Sequence, residues 1–538
     1  MTSTETSPRW AVATPHGAAS DVAGQVLRGG GNAVDAALAA AAALTVVYPN
    51  QCSIGGDQIA LVGLADGSVH CVDGSGAAAL ATDLPDVRAR YDQMPVGGSL
   101  AVTVPGVLHA WDTMARQWGT RRLADALDTA RSIAEAGVPV AAGLARDLVA
   151  ERDRLLADPG LGQLFLQDGL PLVEGHPLRQ PALARTLQLL RDEGVSAFYG
   201  GQVGAAVLNT LGQQGSALCA EDLLRHRTRV VAPLSATFRG HEYLTAPPSS
   251  QGIFFLGGLQ ALAALERRLG RLLDPLAHDA GLVARVLSTM AWHRDRLLGD
   301  PTQGAGLVDE VLSPSTADDL AERLLSTPTG VGTDVLDAPH AQGPRSGDTV
   351  AVVVADGRGQ WVSLIQSTFH AFGAGILDPE TGIILHNRGA SFSLDPLSPN
   401  RLGPGRVPMH TLMPVLVRHD GEVIGSHGTM GGRAQPQVHT HVAMHLEAGR
   451  SAQDAVSMPR WILGAMEAGV DGPAPSLTVK VEQDVPAPAL AGLQAAGFGA
   501  SELPAHDDGT GHFQVVRVVD GDLACASDPR ADGSAIVG

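Results

Sequence analysis

The chain has little of what marks a membrane, a metal or a nucleic-acid protein. Aromatic residues make up 4% of its 538 positions, so an apolar share of 44% falls to Ala, Val and Leu, residues of packed layers rather than of an aromatic binding face. Basic residues number 37 against 56 acidic ones, and the resulting net charge of -19 repels phosphates and anionic headgroups. Nucleic acid is therefore not expected as a partner. The four cysteines, Cys52, Cys71, Cys219 and Cys525, form no CxxC pair, which argues against a zinc framework or a disulfide scaffold and suits free thiols in a reducing compartment. The opening MTSTETSPRWAVATPHGAAS lacks the basic-then-apolar order of a secretory leader, and the longest apolar run, from Ala36, is too short and Ala-rich to cross a bilayer. That run predicts a buried helix, and the protein is expected in the cytoplasm, away from membranes. There is no phosphate-binding GxxxxGK[ST], no dinucleotide fingerprint, no repeat and no low-complexity tail, so no nucleotide cofactor is expected.

What is there reads as mixed α and β. Residues 18–47 form two helical runs broken at Arg28-Gly29-Gly30-Gly31-Asn32, and Ile59 to Asp73 switches to a strand pair around Ala65-Asp66-Gly67-Ser68. Residues 106–330 are mostly helical, interrupted at Thr228–Gly252 by a strand, a turn, a strand and a Pro-Pro-Ser-Ser loop. Ser326 to Gly347, rich in Gly, Pro, Thr and Asp, is the expected linker, exposed and flexible. Directly after it, VAVVVAD from Val350 predicts a strand covered on both faces, followed by QWVSLI and, from Met413 to Met430, a second hairpin turning at Arg418-His419-Asp420-Gly421.

A threonine, Thr349, thus stands at the mouth of a buried strand just beyond a linker. A hydroxyl becomes a competent nucleophile only with a base in reach, and one such base is the residue's own α-amine once it is a chain terminus. A free α-amine titrates near pH ~7.7–8.0. Cleavage at Asp348–Thr349 would expose it. Around this threonine, Asp356, Gly359, Val362-Ser363-Leu364 and Phe372-Gly373-x-Gly375 resemble the start of the small subunit of the gamma-glutamyltranspeptidase family of N-terminal nucleophile hydrolases. GGGNAVDAA at Gly29, YPNQCSIGGD at Tyr48, VPG at Val104, PPSSQG at Pro247, GTMGG at Gly428 and ASDPR at Ala526 follow in the family's order, so the resemblance covers essentially the whole chain.

The resemblance implies a four-layer αββα fold from a precursor that cuts itself into segments 1–348 and 349–538, paired as a heterodimer within one globule. It assigns the nucleophile to Thr349, a hydroxyl in contact with it to Ser367, and the oxyanion-holding amides to Gly431 and Gly432. No metal or organic cofactor is implied. Departures from the glutamyl-binding pattern bear on the substrate. Ser75 stands where the family has an arginine, Arg388 and Ser391 where it has Gln and Asp, and His410-Thr411 replaces a serine pair. Arg388 in place of a neutral residue favours an anion, so a carboxylate on the acyl side of a small amide is the expected substrate feature. NRGASFSLDP is similar to oxamate amidohydrolase and cephalosporin-type acylase members, and the short stretch from Ser393 to Pro408 leaves the site without a lid, which favours hydrolysis over transfer. Rival readings are a γ-glutamyl transferase or glutathione hydrolase, a C–C bond hydrolase of secondary metabolism, an inactive binding homologue, and a metal-dependent hydrolase built on His439, His441 and His445. The last lacks an intervening Glu and a third ligand, so these are expected to be helix-surface histidines.

Overall fold

The computed structural model describes residues 9–303, 306–327, 348–464 and 478–538. From residue 328 onward the expected linker lies outside the described residues. The apolar run at Ala36 becomes the helix Ala33–Val47, every residue of it buried. Asn32 and Asp35 cap it reciprocally. Two further orphan amides at its start are taken up from the strand turn near residue 356: Ala33 N–H donates to Asp356 Oδ2 at 3.1 Å and Val34 N–H to Gln360 Oε1 at 3.0 Å. The GGGNAVDAA motif is thereby a joint between the first helix pair and the hairpin of Asp348–Ala355 and Trp361–Phe369.

Two antiparallel sheets carry the architecture. The seven-stranded sheet runs Ser534–Val537, Ala11–Thr14, Asp348–Ala355, Trp361–Phe369, Asp57–Gly63, Val69–Asp73, Arg229–Val231; the six-stranded sheet runs Asp522–Ser527, Phe513–Val519, Glu422–Thr429, Val415–His419, His241–Thr245, Leu234–Phe238. Their inner faces meet through Ala351, Val353, Ile365, Leu416 and Val516. The opposite face of the first sheet, Val350, Val352 and Val354, packs on a helical layer that includes Ala33–Val47 and Val107–Trp118. The second sheet is covered by Gly252–Leu269 and Gln435–Leu446. This is the αββα layering, and the β-branched run is buried on both faces as its composition predicts. Each fully buried valine there contributes roughly 1.5–3 kcal/mol.

Both sheets are built from residues on either side of position 349. The Asp348–Ala355 strand pairs with Ala11–Thr14 on one side and Trp361–Phe369 on the other. The interruption at residues 228–252 differs from its sequence reading. Arg229–Val231 closes the edge of the first sheet beside Val69–Asp73, while Leu234–Phe238 and His241–Thr245 form a hairpin in the second. Pro233, which cannot continue a ladder, separates the two. Among the described residues no helix is long and apolar enough to cross a membrane.

Candidate active site

Antiparallel register sets three side chains in a row. Thr349 pairs with Ser367, and Ser367 with Asp57 on the next strand. All three are buried. Thr349 Oγ1 donates to Ser367 Oγ at 3.1 Å, and that oxygen also accepts the Phe369 N–H at 2.7 Å. Phe369 sits at φ 79°, and the register shifts between Asp348 and Thr349. A bulky residue in this region is a strained outlier, and such strain collects where chemistry is done. Gly56 lets the neighbouring chain enter beside Ser367, since a Cβ there would lie 2.4 Å from the Ser367 carbonyl oxygen.

Asp57 gathers the residues expected to bind substrate. Its Oδ2 accepts from Arg388 Nε at 3.2 Å and from His410 Nε2 at 2.8 Å, with His386 Nδ1 at 3.4 Å. Burial alone would raise the Asp57 carboxyl, but the Arg388 guanidinium and His410, with help from His386, hold it well below the usual carboxylate range. His410 Nδ1 accepts the Leu412 N–H at 3.2 Å, so its proton is on Nε2. Burial, then the Arg388 charge, keeps this imidazole below its ordinary value. Arg388 is 0% exposed, donates from Nη1 to Thr411 Oγ1 at 3.0 Å and stacks 4.1 Å from the Phe369 ring centroid. Among the described residues three atoms of this assembly, Asp57 Oδ1, Arg388 Nη2 and His386 Nδ1, have no hydrogen-bond partner. Arg388 therefore adds no net charge to the site, because Asp57 cancels it. Ser391 Oγ lies 2.8 Å from the Arg388 carbonyl and 3.1 Å from that of Met409, which closes the turn presenting Arg388. Ser75 is buried, its hydroxyl without a hydrogen-bond partner.

Gly431 and Gly432, at φ 137° and 49°, follow the Glu422–Thr429 strand. That strand abuts Asp348–Ala355 so closely that a Cβ at Gly428 would lie 2.8 Å from that of Ala351. The glycine pair thus leaves the second sheet at the end where Thr349 begins its strand in the first. Among the described residues neither glycine N–H has an acceptor. Gln251 braces the turn, its Nε2 donating at 2.8 Å both to the Gly432 carbonyl and to the Thr411 carbonyl, and Arg294 Nη1 in turn donates to Gln251 Oε1 at 3.2 Å.

Asp57 and Gln251 are the residues that the sequence reading left without a role. Both stand inside recognised motifs, YPNQCSIGGD and PPSSQG, but their partners lie 331 and 181 positions away and no local pattern signals them. The histidine expectation is corrected. His439, His441 and His445 lie on Gln435–Leu446, a helix whose every residue is buried. His439 packs on Phe255 and Phe513, His441 on Trp461, and burial holds all three below their ordinary value. Among the described residues no group of three or more His, Cys, Asp or Glu side chains is arranged to hold a metal.

The Gamma-glutamyltranspeptidase family model matches residues 19–538. The chain is 33% identical to the oxamate amidohydrolase proenzyme of Klebsiella pneumoniae, covering 99% of each chain. It is 32% identical to the glutathione hydrolase-like YwrD proenzyme of Bacillus subtilis, covering 98% of each. Among solved structures, cephalosporin acylase from Bacillus halodurans superposes with a TM-score of 0.87 at 30% identity, over 98% of this chain and 96% of that one.

Proposed function

The chain belongs to the gamma-glutamyltranspeptidase family and is an enzyme of the N-terminal nucleophile hydrolase type, and from that premise we propose a self-processing threonine amidohydrolase acting on a small amide with an anionic acyl part. The observation that carries the reading is the buried Thr349–Ser367 hydroxyl pair at the start of the central strand. In maturation, Thr349 Oγ adds to the Asp348 carbonyl carbon, the Asp348–Thr349 C–N bond breaks, and the amide nitrogen takes up the hydroxyl proton to become the α-amine. Water then opens the ester, leaving a carboxylate on residue 348 and segments 1–348 and 349–538 interleaved in two shared sheets.

In turnover the same oxygen attacks the substrate carbonyl carbon while the α-amine accepts its proton and passes it to the departing amine. The Gly431 and Gly432 N–H groups hold the oxyanion, and a missing donor of this kind typically lowers kcat ~10²–10³-fold. Water releases the acyl group. Arg388 Nη2 receives the acyl-side carboxylate, with Thr411 and Asp57 fixing the guanidinium, His410 holding Asp57 and Ser391 closing the turn that carries the arginine.

One observation favours a second reading. Asp57 Oδ1 is an acceptor without a partner beside Arg388 Nη2, a donor without one, and together they suit the ammonium and carboxylate of an amino-acid headgroup. A γ-glutamyl hydrolase would use both. Intact mass of the purified protein beside Thr349→Ala tests the proposal. Two fragments meeting at Asp348–Thr349 in the wild type and one uncut chain in the variant are expected. A wild type that stays whole and inactive overturns it. Release of glutamate from a γ-glutamyl anilide, with no hydrolysis of amides carrying only an acyl-side carboxylate, selects the second reading.

A further inference from the structure

Away from Thr349, a groove of about 740 Å³ opens between the helices Pro159–Phe165 and Pro181–Glu193 and the short hairpin Leu377–Asp378/Ile383–Ile384. Its volume lies in the range of roughly 300–1,000 Å³ found for small-molecule sites. Leu164, Leu178, Leu183 and Leu377 give it an apolar lining. Arg179 and Arg185 also line it, and no Asp or Glu does. In a chain with 56 acidic and 37 basic residues, most arginines find a carboxylate. Among the described residues neither guanidinium has an ion pair or a hydrogen bond. None of the groove's lining residues belongs to the Thr349–Asp57–Arg388 assembly.

We propose that this groove binds a small amphiphilic anion, a carboxylate on an aliphatic chain, with the chain against the leucines and the acid group on Arg179 and Arg185. Apolar floor and unopposed cations together select that class. A neutral apolar molecule would leave the two exposed guanidinium groups to water and gain nothing from them, and a cation would meet like charge. The position gives an occupant a route to the catalytic centre. Leu377 and Gly382 belong to the hairpin that continues into Leu385, which bridges Gly55, and His386, whose N–H donates to the Gly55 carbonyl at 3.1 Å. Two residues later the chain reaches Arg388. The inference does not rest on the proposed reaction, since binding is read on the uncut Thr349→Ala chain as well as on the wild type.

Isothermal titration with decanoate, and with decyltrimethylammonium as the opposite charge on the same chain, decides it. Saturable binding of one decanoate per chain is expected, weakened at least tenfold in Arg179→Gln/Arg185→Gln and at least threefold in each single variant, with no saturable binding of the cation. Both arginines are solvent-exposed, and thermal denaturation confirms that the variants fold. No saturable decanoate binding, an affinity unmoved by the substitutions, or equal binding of the cation overturns the proposal.

Discussion

Two of the buried arginine–carboxylate assemblies among the described residues are built differently. The first is Asp57 with Arg388, His410 and His386. The second joins Arg460, Asp528, Arg530 and Glu482 behind the second sheet. There Arg460 donates to Asp528 Oδ2 at 2.5 Å, to the Gly511 carbonyl at 2.7 Å and to the Val456 carbonyl at 2.8 Å. Arg530 reaches Glu482 through Nε and Nη2 at 2.7 and 2.5 Å and Asp528 Oδ1 through Nη1 at 3.0 Å. The carboxylates also accept backbone amides from Arg460, Asp507, Phe513 and Arg530. Among the described residues no fully buried side-chain nitrogen or oxygen of this second group lacks a partner, whereas the first group leaves Asp57 Oδ1, Arg388 Nη2 and His386 Nδ1 open. A buried polar atom without a partner costs about 1–3 kcal/mol. That cost is tolerated in the first assembly and absent from the second. The satisfied network ties loops together; the unsatisfied one is suited to a ligand that completes it.

The largest effect expected from this comparison is on the complete network. Arg530→Met leaves Glu482 buried without its arginine and Asp528 with Arg460 alone, and breaking such a pair costs about 3–5 kcal/mol. Chemical denaturation in the uncut Thr349→Ala chain reads this as a lowered midpoint or as failure to accumulate soluble protein. A variant within 1 kcal/mol of its parent would show that the second network is not the structural one.

Asp147 is a third kind of buried carboxylate, with one close donor, Asn50 Nδ2 at 2.6 Å, and its nearest cation, Arg146 Nε, at 3.9 Å. Arg146 is drawn toward Asp508, 2.6 Å away. Burial pushes the Asp147 carboxyl up to about 6 from 3.8, against the pull of Asn50 and Arg146. The folded chain therefore prefers the protonated acid. Its contribution to stability is whole below about pH 3.8 and is lost as pH rises through 6. Asp147→Asn removes that loss, so the variant gains up to about 3 kcal/mol at pH 7.5 and nothing at pH 3.5. Melting temperatures across this range check it, and a gain independent of pH would mean that the carboxylate is already compensated.

The buried helices and strands were legible because composition and period agree along most of the chain: the fifteen residues Ala33–Val47, mostly Ala and Val, can only be a buried helix, and VAVVVA only a strand covered twice; the four layers were legible through the family resemblance. The break between Val231 and Leu234 was not, because which sheet a short strand joins depends on neighbours hundreds of positions away. The row Thr349–Ser367–Asp57 shows the same division. Thr349 and Ser367 are readable from a motif, while Asp57 enters the site only through antiparallel register. Arg388 read in sequence as a free positive charge, since a charge can be counted locally but its counter-charge cannot. The three histidines read as a surface face because polar residues at helical spacing usually are one. The ring stacking of His439 on Phe513 and of His441 on Trp461, which buries them, is tertiary.

The smallest predicted effect is the one that separates the two networks most sharply. Arg388→Ala removes a charge-assisted donor facing the acyl group, a contact of about 1.5–3 kcal/mol, and so raises KM for a carboxylate-bearing amide ~10–100-fold. Its stability cost stays below that of Arg530→Met, because Asp57 keeps the His410 N–H at 2.8 Å. Arg388→Lys returns a charge without the planar fork that reaches Asp57 and Thr411 at once, so it restores stability more than it restores KM. If Arg388→Ala and Arg530→Met cost the same stability and KM does not move, the open atoms beside Asp57 serve no ligand, and the two assemblies differ only in how well they are packed.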